Sequence, residues 1–318
     1  MVHIKGTKKI ELNMNTKSAV ALGKFDGIHD GHMLLIDKLL KCSEEGYTSV
    51  VFTFDYRKNS VFDVDTMKNI YTSEEKAAII ESFDIDILLE YPFDDEFAAM
   101  EPEAFVRDIL VSMLHAGYIV VGEDFRFGRN RKGDVGLLKK MADDYGYQVI
   151  AMPKRTSEDH QIISSTLIRG HIAAGNMENV IKLMGRPYSI TGRVRKGKQL
   201  GRRIGIPTAN ILPEKGKLYP PTGVYATRIR VVDADMGTFH DSFRFYRGIT
   251  NIGDNPTVNE NGNITIETNI FDFDSDIYGK TIKIEFISYI RAEMKFAGVE
   301  ALKNQMNQDI KLAQKILK

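Results

Sequence analysis

The stretch Ser18-Ala19-Val20-Ala21-Leu22-Gly23-Lys24-Phe25-Asp26-Gly27-Ile28-His29-Asp30-Gly31-His32 decides the fold of the first half of this chain. Its first six residues form a short apolar run that is typical of a buried strand, and a helix is predicted to begin near Gly31. His29 and His32 are three residues apart where the strand gives way to the helix, so both imidazoles project from one helix face. Gly27 and Gly31 let backbone amides come close to a ligand.

This turn favours a phosphate-handling site. A helix N-terminus carries about half a positive charge, and imidazole donors suit the charge that develops on a phosphorus transition state. A metal site is less favoured, because no third histidine or paired carboxylate lies nearby at ligand spacing. A His pair with a purely structural role is the alternative.

The first half of the chain alternates strands and helices. After the strand Ser18–Gly23, the predicted strands are Ser49–Phe54, Ile85–Leu89, Tyr118–Gly122 and Gln148–Met152. The predicted helices are Gly31–Glu45, Ser73–Ser82, Pro102–Leu114, Gly136–Tyr145 and a helical stretch Thr166–Met184. This βα alternation predicts an α/β fold with a mostly parallel, Rossmann-like sheet, whose ligands bind at the carboxyl ends of the strands.

The pattern changes after Gly185. Strand-length apolar or alternating segments are separated by Gly, Asn, Asp and Pro, which predicts a small antiparallel barrel or sandwich. These segments are Tyr188–Val194, Gly223–Val231, Tyr246–Asn251, Ile264–Ile270 and Thr281–Ile290. Apolar residues then recur at steps of three and four from Val299 to Leu317, which predicts an amphipathic closing helix packed on the core.

Length and charge indicate two domains. At 318 residues the chain is long for one compact domain. Residues 1–184 hold 22 Lys and Arg against 29 Asp and Glu, whereas residues 185–318 hold 21 against 14. This change of sign predicts domains 1–184 and 185–318, and the opposite charges leave docking within one chain, or weak association between chains, as alternatives. The formal net charge of zero and the acidic first half argue against a broad nucleic-acid surface.

Cysteine content and hydropathy predict a cytoplasmic protein without a membrane partner. The single cysteine, Cys42, excludes an internal disulfide framework and fits a reducing compartment. No stretch approaches the ~20 apolar residues of a membrane span. Residues 1–6 lack the apolar core of a signal peptide.

A second motif, Lys196-Gly197-Lys198-Gln199-Leu200-Gly201-Arg202-Arg203-Ile204-Gly205-Ile206-Pro207-Thr208-Ala209-Asn210, lies in the basic half. It lacks the Gly-Lys-Ser/Thr of a Walker loop, but its glycines and basic residues are able to wrap a triphosphate. Thr208 and Asn210 offer the oxygen atoms that Mg²⁺ prefers alongside phosphates. A glycine-rich hairpin with an Asx turn is the alternative.

The motif of the first half resembles that of the bacterial bifunctional riboflavin kinase/FAD synthetase family, in its form Gly-x-Phe-Asp-Gly-x-His-x-Gly-His. Two further blocks are similar to that family: Val121–Gly128 with Arg131 and Gly133-Asp134, and Ile163–Arg169. The resemblance implies that His29 and His32 stabilise the α-phosphate of ATP while the FMN phosphate displaces pyrophosphate.

The same resemblance implies binding residues in the first half. Ser164, Ser165, Thr166 and Arg169 would hold phosphates, since hydroxyl and guanidinium groups donate to oxyanions. Asp124 would contact the flavin side. Nucleotide-binding residues in the first motif would be Gly23, Phe25, Asp26 and Gly27. A helix N-cap is the alternative role for the Ser164–Arg169 block.

The second motif is similar to the riboflavin kinase part of that family, which ends in Pro-Thr-Ala-Asn. Segments that also resemble it follow in order: Gly223-Val224-Tyr225, Asn251–Thr257, Glu267–Phe273 and Arg291–Phe296. The resemblance implies that Glu267 is the general base for the ribityl 5′-hydroxyl. It also implies that Gly201, Thr208, Asn210 and Arg291 bind substrates, with Thr208 and Asn210 on Mg²⁺; a charge at a strand edge is the alternative for Glu267.

The resemblance covers the chain from about Ser18 to Ile310. It implies an N-terminal nucleotidylyltransferase domain with a parallel sheet and a C-terminal antiparallel β-barrel kinase domain. The substrates and products would be riboflavin, FMN, FAD and ATP. One departure is Phe54-Asp55-Tyr56-Arg57-Lys58, where the family has Phe-Asp-Pro-His-Pro. It leaves two alternatives: a kinase with weak or absent adenylyltransferase activity, and a flavin-sensing regulator without turnover.

Overall fold

The computed structural model describes residues 1–8, 16–56, 68–197, 201, 205–232, 244–254 and 264–318. It divides into two compact units, Met1–Ser165 and Thr166–Lys318. The predicted boundary after residue 184 stays a prediction, and residues 166–184 pack with the second unit. Several residues of the motifs lie outside the described residues, namely Arg57, Lys58, 198–200, 202–204 and 255–257.

The first unit is built on a six-stranded sheet in the order β1-β4-β3-β2-β5-β8, and every recorded pairing is parallel. The strands are β1 (Val2–Lys5), β2 (Ser18–Leu22), β3 (Thr48–Asp55), β4 (Ile87–Pro92), β5 (Ala116–Gly122) and β8 (Gln148–Met152), with a two-stranded ribbon of β6 (Arg126–Phe127) and β7 (Gly133–Asp134). The helices are α1 (Asp30–Glu44), α2 (Ser73–Glu81), α3 (Asp95–Ala98), α4 (Pro102–Ala104) and α5 (Val135–Tyr145). The predicted α/β fold is confirmed.

The central strand β2 is buried on both faces. Val20 and Leu22 belong to one core cluster, whereas Ala19 and Ala21 belong to the cluster on the opposite face, beneath α1. Each fully buried Val or Leu side chain contributes about 1.5–3 kcal/mol. This double burial explains why β2 is an uninterrupted apolar run rather than an alternating one.

The strand order places the first motif at a switch point. From β2 the chain moves to β3 and β4 on one side, and later to β5 and β8 on the other. The crevice outside the carboxyl end of the strand where the direction reverses is where ligands of such sheets bind. Residues 23–32 leave β2 at that position.

The second unit is a closed barrel of six strands in the order β10-β13-β12-β11-β14-β9, with every pairing antiparallel. The strands are β9 (Tyr188–Arg195), β10 (Ala209–Ile211), β11 (Gly223–Val232), β12 (Tyr246–Asp254), β13 (Ile264–Ile270) and β14 (Thr281–Arg291). Inside the barrel, the hydroxyl of Thr250 hydrogen-bonds those of Thr227 and Thr268 at 3.0 and 2.9 Å. The sequence leaves a barrel or a sandwich as alternatives, and the structure confirms the barrel.

Three helices complete the second unit: α6 (Ser165–Ala173), α7 (Met177–Met184) and α8 (Val299–Ile316). The closing helix α8 packs Ala313, with the following Leu317, against Val224, Ala226 and Ile249 on the outer face of the barrel. This confirms the predicted packing role of the apolar stripe.

The structure differs from the predicted elements in three places. The stretch Thr166–Met184 is two helices, because Gly175 takes a left-handed φ of +73° between them. The helix predicted over Pro102–Leu114 continues from α4 as a π-helix, Phe105–Met113. β1, β6, β7, β10 and the short helix α3 are additional elements, too short to give a periodic signal. Among the described helices, none combines the length and apolarity that crossing a membrane requires.

Candidate active sites

The two histidines of the first motif are stacked at the start of α1. His29 is the residue before the helix and His32 lies in its first turn, and their ring centroids are 3.9 Å apart. Phe25 lies beside His32, with the ring centroids 4.9 Å apart. The His29 side chain makes no capping hydrogen bond, so the first-turn amides keep their capacity to bind an anion.

The loop before α1 is held in an unusual backbone conformation. Phe25, Gly27 and Ile28 have φ values of 48°, 86° and 41°, in the left-handed region that non-glycine residues rarely adopt. Phe25 and Ile28 are fully buried, and their packing holds this conformation. The loop thereby fixes the start of α1 and the direction of the His pair.

Asp26 joins separate segments of the first unit. Its side chain is almost fully buried, and Oδ1 accepts a hydrogen bond from the Ile70 amide at 2.9 Å. Its backbone carbonyl accepts one from the Ser165 hydroxyl at 2.7 Å. The structure therefore brings Ser165, from the third block, onto the loop that carries His29.

His29 is neutral at physiological pH. Burial removes water from the imidazole and lowers its pKa from 6.5 to about 4, although the nearby Asp26 carboxylate acts in the opposite direction. Its Nδ1 atom is buried and has no hydrogen-bond partner among the described residues. A neutral imidazole with an unused ring nitrogen is able to exchange a hydrogen bond with a phosphate oxygen.

The remaining predicted residues of the first motif and blocks take different positions. Gly23 directly follows β2, and its amide donates to the Phe52 carbonyl at 3.2 Å. Asp124 lies just beyond β5, is largely exposed and pairs with Lys154 at 2.8 Å. Thr166 and Arg169 lie on α6, one turn apart.

Tyr56, which directly follows β3 and departs from the family sequence, forms part of an aromatic cluster. Tyr56 packs against Phe54 and Phe93, with ring centroids 6.0 and 5.0 Å away, and the Lys24 ammonium lies 5.5 Å from its ring. Burial first, and the Asp26 carboxylate second, raise the pKa of the Tyr56 hydroxyl. Tyr56 therefore keeps its proton and packs among aromatic side chains, at a position where the family that the chain resembles has proline.

In the second unit, strand register sets the surroundings of Glu267. Glu267 on β13 lies opposite Asn210 on β10 and opposite Asn251 on β12. Directly paired residues project from the same face of a sheet. The carboxylate is therefore flanked by two amide side chains, and Asn251 Nδ2 in turn donates to Glu293 at 3.4 Å.

Successive side chains of β13 face opposite sides of the barrel wall, and a cavity lies on each side. Thr268 and Ile270 face the cavity at one end of the barrel, here called the mouth cavity, of about 350 Å³. Glu267 and Asn269 face a smaller cavity between the outer barrel face and α8, here called the outer cavity. Thr208 lines both cavities. The mouth cavity has the size of a small-molecule site, which is usually ~300–1,000 Å³.

The turn around Thr208 has close backbone packing. A Cβ atom on Gly201 would lie 2.3 Å from the Ile206 carbonyl oxygen, so only glycine fits there. A Cβ atom on Gly197 would lie 2.7 Å from the Asn210 side-chain oxygen. The space that Gly197 leaves is thus filled by the Asn210 amide.

The oxygen atoms of this turn fit Mg²⁺. The Thr208 hydroxyl and the Asn210 amide oxygen are hard donors, and Asn210 Nδ2 lies 3.4 Å from the Thr208 carbonyl, which leaves its oxygen for another partner. The described residues contain no cluster of three or more His, Cys, Asp or Glu at metal-binding distance. Mg²⁺ usually binds through a few protein ligands together with phosphate oxygens.

Each of the three guanidinium nitrogens of Arg291 donates a hydrogen bond within the protein. Its Nε and Nη2 atoms donate to the buried Asp309 carboxylate of α8, at 3.0 and 2.7 Å, and Nη1 donates to the Ala292 carbonyl. Arg291 and Asp309 both line the outer cavity. The structure thus makes Arg291 a link between β14 and the closing helix.

Sequence reasoning missed Asn251, Asn269 and Asp309, all of which line the outer cavity. Asn251 and Asn269 lie within segments that resemble the kinase, so their polar side chains between apolar strand residues were an available signal. Asp309 interrupts the apolar stripe of α8 between Met306 and Ile310, a position where a buried charge needs a partner.

Comparison with known proteins agrees with this arrangement. A family model described as FAD synthetase matches residues 11–167, and one described as riboflavin kinase matches residues 184–317. The bifunctional riboflavin kinase/FMN adenylyltransferase of Bacillus subtilis is 35% identical over 314 residues, which cover 97% of this chain and 95% of the relative. The protein of the same description from Buchnera aphidicola subsp. Schizaphis graminum is 33% identical over 305 residues, 95% of each chain.

A solved structure shares the fold. The crystal structure of a protein described as a macrolide-efflux protein from Streptococcus pneumoniae matches with a TM-score of 0.83 and 30% identity, over 98% of each chain. The family models and the curated relatives extend over both units and carry the same pair of activities in their descriptions. The chain belongs to the family of bifunctional riboflavin kinases/FMN adenylyltransferases.

Proposed function

We propose that this chain converts riboflavin and ATP to FMN in residues 185–318, and FMN and ATP to FAD and pyrophosphate in residues 1–184. The observation that carries the proposal is that each half of this family member retains its own reactive side chains in a shaped site. These are the stacked His29 and His32 at the switch point of the sheet, and Glu267 between two asparagines beside a cavity.

In the kinase step, Glu267 is the general base. The 5′-hydroxyl oxygen of riboflavin bonds to the γ-phosphorus of ATP, the bond from that phosphorus to the bridging oxygen breaks, and ADP leaves. The proton of the hydroxyl passes to the Glu267 carboxylate. We assign riboflavin to the outer cavity, where Glu267 lies, and ATP to the mouth cavity, so that Thr208 lines the wall between them.

Thr208 and Asn210 would hold Mg²⁺ in this site. Bound Mg²⁺ supplies charge neutralisation on the β- and γ-phosphate oxygens. Gly201 and Gly197 keep this turn compact, because a side chain at either position would displace the Ile206 carbonyl or the Asn210 amide. Arg291 lines the outer cavity and is held there by Asp309 of α8, and the second N–H groups of its Nη1 and Nη2 atoms are able to bind the flavin.

In the adenylylation step, a phosphate oxygen of FMN bonds to the α-phosphorus of ATP, the α–β bond breaks and pyrophosphate leaves. His29 and His32 donate hydrogen bonds to the α-phosphate as charge develops on it. A neutral His29 does this without the desolvation penalty of a buried cation. The N-terminus of α1 adds its amides and dipole.

The other predicted residues of residues 1–184 have binding roles in this proposal. Gly23 and Gly27 let the backbone approach the nucleotide, and Phe25 and Asp26 fix the loop. Ser164, Ser165, Thr166 and Arg169 hold phosphate groups, and Asp124 contacts the flavin side. Tyr56, where the family has proline, gives a specific reason to consider a second candidate: a riboflavin kinase with weak adenylyltransferase activity.

We further infer that the enzyme acts in the cytoplasm on free flavins and nucleotides, without a nucleic-acid or membrane partner, and that any self-association is weak. The single, buried Cys42 supports a reducing compartment, and the zero net charge argues against a nucleic-acid partner.

Chromatography of the flavins tests the proposal. The purified protein is incubated with Mg-ATP and either riboflavin or FMN. FAD from both substrates is the expected result. If riboflavin is converted only to FMN and added FMN stays unchanged, the kinase-only candidate is correct, and no conversion at all would support a flavin-binding regulator.

A further inference from the structure

A hydrogen bond joins the walls of the two cavities in the second unit. Asn269 lines the outer cavity, and its Nδ2 atom donates to the Pro207 carbonyl at 2.7 Å, while Pro207 lines the mouth cavity. The orientation of the amide follows from its partner, because a carbonyl oxygen accepts only from the nitrogen. Asn269 itself is 7% exposed.

The position of this bond follows from where β10 begins. The ladder between β10 and β13 starts with the pair Ala209 and Thr268, and continues with Asn210 and Glu267. Continued by one residue, the same register would put Asn269 opposite Thr208, but β10 does not extend that far. The Asn269 side chain therefore donates to the segment that directly precedes β10.

The bond connects two groups that the proposed kinase reaction requires. Asn269 and Glu267 are two residues apart on β13 and project from the same face, about 7 Å apart along the strand. Pro207 is bonded directly to Thr208, which lines both cavities. Asn269 thus ties the strand that carries the base to the turn that faces the nucleotide.

We propose that Asn269 is a positioning residue for phosphoryl transfer, which fixes the Pro207-Thr208 turn relative to Glu267. The inference rests on the proposed kinase function of the second unit. Asn269 takes no proton and holds no phosphate; it sets the separation between the attacking hydroxyl and the phosphate that is transferred. Since a displacement of about 1 Å between reacting groups costs on the order of 10²-fold in rate, one short hydrogen bond at this place matters.

Three variants separate the hydrogen bond from simple packing. Asn269→Leu keeps the branching at Cγ but removes the donor, and Asn269→Asp keeps the shape but places an oxygen against the Pro207 carbonyl. Asn269→His restores a nitrogen donor at the δ position. Asn307→Asp, on an exposed position of α8, is the matched control for the change of charge.

The measurement is steady-state riboflavin phosphorylation together with Mg-ATP binding by calorimetry. We expect Asn269→Leu and Asn269→Asp to lower kcat by about ten- to a hundredfold with a small change in the KM for riboflavin, and to weaken Mg-ATP binding. Asn269→His should recover most of kcat. FAD formation from added FMN should be unchanged in every variant, which shows that the first unit is intact, and far-ultraviolet circular dichroism and a two-step denaturant unfolding curve like that of the wild-type protein show that the barrel is folded.

Two results would overturn the inference. One is a wild-type kcat in Asn269→Leu, and the other is an Asn269→His variant as slow as Asn269→Leu, which would mean that shape rather than the donor matters. Failure of the proposed function is distinguishable, because then the wild-type protein would not convert riboflavin to FMN at all.

Discussion

Glu267 of β13 lies directly opposite Asn210 of β10, so the predicted base and the predicted metal-binding amide project side by side from the outer face of the barrel. They are 57 residues apart in the chain, and only the closing of the barrel brings them together. This pairing supports one active site for the two segments that resemble the kinase.

The close approach of Gly197 to Asn210 gives a test of that site. Gly197→Ala places a Cβ atom 2.7 Å from the Asn210 side-chain oxygen, so the amide must leave its position beside Glu267. We expect riboflavin phosphorylation to fall by about tenfold or more, because misplacement of a positioned group is costly. Gly170→Ala is the control, since its Cβ atom would meet no other atom within 4 Å. Equal kinase rates in the two variants would refute this role for Asn210.

The ion pair between Arg291 and Asp309 should stabilise the second unit strongly. The side chain of Asp309 is 3% exposed, and removing one partner leaves a buried, uncompensated guanidinium. We expect Asp309→Ala to reduce the free energy of unfolding by about 3–5 kcal/mol and to raise the KM for riboflavin. Arg129→Ala breaks an exposed pair, with Glu101, whose side chains are 56% and 50% exposed, and should cost no more than about 1 kcal/mol. Denaturant unfolding, followed by circular dichroism, checks both values, and an Asp309→Ala protein as stable as Arg129→Ala would contradict this account.

The lowered pKa of His29 predicts acid sensitivity in the first unit. The unfolded chain binds a proton at this residue near pH 6.5, whereas the folded chain does not until about pH 4. The contribution of His29 to stability is therefore complete above pH 6.5 and is lost as the pH falls toward 4. Between pH 7.5 and 5 we expect His29 to account for about 2 kcal/mol of lost stability.

Unfolding of the wild-type protein and of His29→Gln at the two pH values measures that loss, which should be smaller in the variant. Nuclear magnetic resonance of the His29 ring gives the pKa directly. A ring that titrates near 6.5 would show that His29 is more hydrated than the structure indicates.

The sequence predicted the parts of the fold that have a strong local signal. The apolar run of β2 and the stripe of α8 each bury a continuous surface, so their periodicity is visible in the chain. β10 has three residues and becomes a strand only through pairing with β9 and β13, which no local pattern encodes. The role of Asp26 as an acceptor for the Ile70 amide, and the link from Asn269 to Pro207, depend on contacts between distant segments.

Glu267→Gln should separate the two activities. The amide keeps the shape of the carboxylate but does not take a proton, so we expect riboflavin phosphorylation to fall by about 10²- to 10⁴-fold. FAD formation from added FMN should be unchanged. Glu300→Gln, exposed in the first turn of α8, is the matched control. A wild-type rate of FMN formation in Glu267→Gln would exclude it as the base.

His32→Ala should give the opposite result. Loss of a donor aimed at the α-phosphate is expected to slow FAD formation from FMN by about 10²- to 10³-fold, while FMN formation from riboflavin is unchanged. His160→Asn is the control, because His160 is exposed and asparagine tolerates its left-handed φ of 58°.

The most direct test of one chain with two separate active sites is a mixing experiment. Glu267→Gln and His32→Ala proteins are each incubated with riboflavin and Mg-ATP, alone and then together, and FAD is measured. The account predicts almost no FAD from either variant alone and its formation in the mixture, because FMN made by His32→Ala is adenylylated by Glu267→Gln. A folded mixture that makes no FAD, or a single variant that has lost both reactions, would contradict it.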